Sequence, residues 1–69
     1  MHVRVDDDAF IGDLVDFLQK VDCRALQTGS HTVEVELGSR TSGDAARVEL
    51  GFYLGVWKAM NPGIQIRIA

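Results

Sequence analysis

His31-Thr32-Val33-Glu34-Val35-Glu36-Leu37 is the stretch on which the reading of this chain turns. Val33, Val35 and Leu37 alternate with Thr32, Glu34 and Glu36. A period of two puts the aliphatic side chains on one face of a strand and the polar ones on the other. Three more stretches carry the same signal. His2-Val3-Arg4-Val5 predicts a strand with Val3 and Val5 inward, and Ile64, Ile66 and Ile68 alternate with Gln65 and Arg67. Cys23 to Gln27 predicts a shorter strand, joined to the strand at 31–37 by a tight turn at Thr28-Gly29-Ser30.

Between the strands the period changes. Asp6, Asp7 and Asp8 suit the start of a helix, because a carboxylate caps free N–H groups and favours the positive end of the helix dipole. Phe10, Leu14, Phe17, Leu18 and Val21 then share one helical face, so a first helix is expected to run to about Val21. Asp16 and Lys20 form an i,i+4 acid–base pair in the favourable order. A Gly/Ser loop at 38–43 follows the strand at 31–37, with Thr41 or Ser42 able to cap a second helix from near Asp44 to about Met60. Asn61-Pro62-Gly63 stops it.

The order strand–helix–strand–strand–helix–strand predicts one α+β domain over residues 1–69. The expected form is a ferredoxin-like βαββαβ sandwich, with a four-stranded antiparallel sheet and two helices on one face. Right-handed crossovers would place the first and third strands in the centre.

Composition narrows the function classes. The chain has 69 residues, 46% hydrophobic and 25% charged, which is ordinary for a globular domain. A net charge of −3 and a pI of about 5.1 speak against nucleic acid or an anionic membrane as partner. No apolar run approaches the roughly 18 residues of a membrane span. The start at Met1-His2-Val3-Arg4 leads into acidic residues and not an apolar stretch, so a complete cytoplasmic protein without a leader is expected. Cys23 is the one cysteine, which rules out an intrachain disulfide. Chains this short bury little of their surface and usually add a disulfide, a metal or a partner. Self-association is the stabiliser left.

Ala46-Arg47-Val48-Glu49-Leu50-Gly51-Phe52-Tyr53-Leu54-Gly55-Val56-Trp57-Lys58-Ala59-Met60-Asn61-Pro62-Gly63, with Thr32-Val33-Glu34-Val35-Glu36 before it, resembles a group of short uncharacterised actinobacterial proteins. The resemblance covers nearly the whole chain. It implies a cytosolic bacterial setting and brings no site residues with it.

The second helix is apolar most of the way round. At about 100° per residue, Ala46, Leu50, Tyr53, Leu54, Trp57 and Met60 share the face assigned to the sheet. Val48, Phe52, Val56 and Ala59 lie on the other side, where a solvated stripe is the norm. Two readings follow. The extra apolar surface packs on the first helix, with Gly12, Gly51 and Gly55 allowing close approach. Alternatively, Val48, Phe52, Val56 and Ala59 form an interface for a second copy or another protein. The second is preferred. The Gly51-to-Gly55 spacing resembles a membrane helix-pairing motif, but this helix carries charges and the motif is set aside.

Other chemistry is thin. Asp6 and Asp8, with Asp7 between them and His31 from the neighbouring strand, are candidate ligands for a hard cation, against simple helix capping. Gly38-Ser39-Arg40-Thr41-Ser42-Gly43 has P-loop glycine spacing, yet Asp44 stands where that motif needs lysine. Its backbone N–H groups with Arg40 would make at most a weak anion site. The helix-free sheet face shows His2, Arg4, Glu34, Glu36 and Arg67 and lacks the aromatic platform of RNA-binding sheets. Cys23 reads as a small buried hydrophobe. No nucleophile–base pair stands out, so the expectation is a non-enzymatic, self-associating interaction domain without cofactor. A small-ligand or metal-binding regulatory module is the alternative, on fold analogy alone.

Overall fold

Alternating valines and two amphipathic helices meet in one core. The computed structural model describes residues 1–38 and 43–68. In chain order the elements are β1 (His2–Val5), α1 (Ile11–Lys20), β2 (Arg24–Gln27), β3 (Thr32–Glu36), α2 (Gly43–Met60) and β4 (Ile66–Ile68). They build one sheet in the order β2-β3-β1-β4, with all three pairings antiparallel. The protein is therefore α+β, and β3 and β1 take the two inner places.

Register sets the core. Val3 lies opposite Val33 on one side and Ile68 on the other, and Val35 lies opposite Ala25. Val3, Val5, Val33 and Val35 are fully buried. They meet Ile11, Leu14 and Leu18 of α1 and Leu50, Leu54 and Trp57 of α2. Both helices thus cover one face of the sheet.

Trp57 ties the helices together. Its indole is fully buried, and Nε1 donates to Asp13 Oδ2 at 2.9 Å. Its ring meets Phe10 edge to face, with centroids 6.5 Å apart. A buried indole N–H needs such a partner.

Element ends depart from the sequence reading for local reasons. The expected first helix divides in two. Asp7 caps a 3-10 turn at Asp8–Phe10 by accepting from the Ala9 N–H at 3.1 Å, and α1 proper starts at Ile11. Ile11, absent from the expected stripe, is a core residue three positions before Leu14. Cys23 does not join β2, because its N–H donates to Leu18 O at 2.9 Å in closing α1. Ile64 does not join β4, since its N–H donates to Asn61 O at 3.3 Å in the turn after α2. Met60, expected to face the sheet, is 60% exposed at the end of its helix.

The close of α1 carries backbone strain. Cys23 N–H reaches Leu18 O and Asp22 N–H reaches Gln19 O, a Schellman motif with Asp22 as the left-handed residue at φ 69°. Glycine takes that conformation without a Cβ penalty. Asp22→Gly is expected to raise stability by about 0.5–1 kcal/mol, read as a higher urea midpoint at unchanged slope. Gly29 is held by space instead: a Cβ there would stand 2.6 Å from Thr32 Oγ1, across the turn closed by Thr28 N–H to Thr32 O.

Candidate interaction surface

Residues four and three apart on α2 divide its surface. Ala46, Leu50, Leu54 and Trp57 are buried against the sheet and α1. The opposite side is turned to solvent. Val48 is 74% exposed, Phe52 69% and Val56 41%, and Ala59 is exposed as well. Phe52 makes its one aromatic contact with Tyr53, its neighbour in the same helix. All four residues singled out in the sequence therefore lie on the outward face, and the reading in which they pack on α1 does not hold.

The glycine reading changes with it. A Cβ placed on Gly12, Gly51 or Gly55 would meet no atom within 4 Å. None of them permits a close approach of α1 and α2. Gly51 and Gly55 each cost the helix about 1 kcal/mol relative to alanine, with no packing gain inside the chain.

The helix-free face of the sheet is polar. His2 Nδ1 lies 2.9 Å from Glu34 Oε2, and the α-amino group of Met1 lies 3.2 Å from Glu34 Oε1. Arg24 Nη1 and Glu36 Oε2 are 4.0 Å apart and well exposed, a pair that contributes little. Arg4 stands opposite Thr32 and Arg67, so it has no carboxylate across the strand. Leu26 is the one large exposed hydrophobe here, at 69%.

The candidate cation ligands have partners of their own. Asp6 Oδ1 accepts from the Gln65 N–H at 3.0 Å, and Asp7 caps its turn. Asp8 lies exposed in that turn. His31 does come beside β1, since Val5 N–H donates to His31 O at 2.8 Å, but its Nδ1 lies 3.1 Å from Ser30 Oγ. Among the described residues, no three His, Cys, Asp or Glu side chains are grouped to hold a metal ion. Positions 39–42 of the P-loop-like segment, with Arg40 and the cap candidates Thr41 and Ser42, lie outside the described residues.

Cys23 is buried, and burial pushes its thiol above the ordinary 9.0, with the Glu49 and Asp22 carboxylates adding to the rise. The sign follows from linkage. The native state holds the protonated thiol more tightly than the unfolded state does. Its contribution to stability is complete below pH 9.0 and is lost as pH rises through the folded-state value. Because the thiolate is the reactive form, alkylation of native Cys23 near neutral pH is expected to be at least about tenfold slower than in denaturant, measured by mass spectrometry.

Among the described residues, no helix is long and apolar enough to cross a membrane. Compared with protein-family models, with curated proteins and with solved structures, the chain shows no significant match.

Proposed function

We propose that this chain is a non-enzymatic interaction domain that associates with itself through the outward face of α2. One observation carries the reading: a contiguous row of Val48, Phe52, Val56 and Ala59 stands in solvent on an 18-residue helix whose other side is in the core. Apolar rows of this kind mark interaction sites. The helix-free sheet face, with its charged side chains and single exposed leucine, offers no comparable patch.

The size of the core supports the same reading. Among the described residues twelve hydrophobic ones are buried, and the single cysteine forms no disulfide. A domain with so small a core gains from covering more apolar surface. We read its architecture as a ferredoxin-like sandwich, on the element order and the inner placement of β3 and β1. The experiment is sedimentation equilibrium across a range of concentrations. A mass rising from one chain toward two is expected, and a single-chain mass up to millimolar concentration contradicts the proposal.

A further inference from the structure

We infer that the helix-free face of the sheet binds one oxyanion, the phosphate of a small phosphorylated molecule, between Arg4 of β1 and Arg67 of β4. The site is separate from the surface proposed for self-association, since both helices cover the other face of the sheet. Cross-strand partners on the helix-free face are matched base to acid at two places and mismatched at one. His2 stands opposite Glu34 and Arg24 opposite Glu36, and their nitrogens lie 2.9 Å and 4.0 Å from those carboxylates. Arg4 stands opposite Arg67. Strands lie about 4.8 Å apart, and like charges directly opposite destabilise the pairing. An acid at either position would relieve the repulsion, as Glu36 does beside Arg24. Among the described residues neither the Arg4 nor the Arg67 guanidinium has an ion-pair partner. An anion held between the two cations removes the repulsion and supplies the missing partner.

The two arginines line one cavity of about 310 Å³, with Asp6, Gln65 and Ile66. That volume lies at the small end of the roughly 300–1,000 Å³ of ligand sites. A guanidinium presents its N–H donors in a planar fork that matches phosphate oxygens two at a time. Two forks on adjacent strands can share the oxygens of one phosphate. Asp6 is the carboxylate at the site. Its Oδ1 accepts from the Gln65 N–H at 3.0 Å, and it pairs with neither arginine. With Asp6 counted, the site carries one net positive charge, which suits a single phosphate and not a chain of them. Glu34 and Glu36, farther across the same face, would repel the further phosphates of a nucleic acid.

The test is melting in dilute solution followed by circular dichroism, with inorganic phosphate exchanged for chloride at constant ionic strength. The wild-type chain is compared with Arg67→Gln and Arg67→Glu. Both arginines are exposed, so the site is screened, and a dissociation constant on the order of 1 mM is expected for inorganic phosphate. At about ten times that concentration the wild-type melting temperature should rise by several degrees. Arg67→Gln should lose at least about two thirds of the rise, the remainder being the general effect of phosphate on folded proteins. Without phosphate, Arg67→Glu should melt higher than wild type, because Arg4 then faces an acid. It should respond to phosphate no more than Arg67→Gln does. A lost response beside a gain in stability separates a binding role from a structural one. Phosphate titration of isotope-labelled protein should move the amide signals of Arg4 and Arg67 and leave those of Arg47 and Lys58 in place. An equal rise for wild type and Arg67→Gln, equal shifts at all these residues, or an Arg67→Glu chain that melts lower than wild type overturns the site. A thymidine oligonucleotide that binds more tightly than inorganic phosphate at the same ionic strength overturns the single-phosphate reading.

Discussion

Phe52→Asp is expected to yield a folded monomer at concentrations where the wild-type chain is dimeric. The ring is 69% exposed in the single chain, so the monomer loses little by the change. Surface substitutions of this kind stay within about 0.5 kcal/mol. In the dimer the cost is far larger. Each buried phenylalanine contributes about 1.5–3 kcal/mol, and a two-fold interface buries it twice. Dimerisation should weaken by at least about a hundredfold, seen as a single-chain mass by light scattering beside an unchanged far-UV circular dichroism spectrum. A variant that associates as wild type does would place the interface elsewhere.

Trp57→Ala should have the largest effect on the fold. The indole fills the space between α1, α2 and the sheet, and Asp13 takes its N–H. Removing a buried aromatic costs about 3–5 kcal/mol through lost transfer energy and the cavity left behind. A chain of 69 residues has about 3–10 kcal/mol of stability in all. The variant is therefore expected to lose most of its cooperative unfolding transition in urea. Trp57→Phe keeps the apolar bulk and loses only the hydrogen bond, so a deficit of about 1–2 kcal/mol is expected. A cooperative transition for Trp57→Ala near the wild-type midpoint would show that the core does not depend on this residue.

The sheet was legible in the sequence because its signal is local. Val3, Val5, Val33 and Val35 alternate with polar residues, and each is fully buried. The ends of the elements were less legible because competing hydrogen bonds decide them. Cys23 and Ile64 both fit a strand pattern, yet their N–H groups are taken by Leu18 O and Asn61 O. Ile11 was missed because three aspartates and a 3-10 turn obscure where the helical phase begins. The outward row on α2 was legible because Val48, Phe52, Val56 and Ala59 stand opposite Leu50, Leu54 and Trp57 on any helical wheel. What Gly51 and Gly55 do not do was hidden. Glycine in a helix says that a side chain is unwelcome or unneeded, and only the open space beside both residues shows that α1 is not the reason.

Amide chemical shifts followed on dilution from millimolar to micromolar concentration would locate the contact residue by residue. Shifts concentrated at Val48, Phe52, Val56 and Ala59 are the expected result. A spectrum independent of concentration, or shifts confined to His2, Arg4, Glu34 and Arg67 on the far side of the sheet, would contradict self-association through α2.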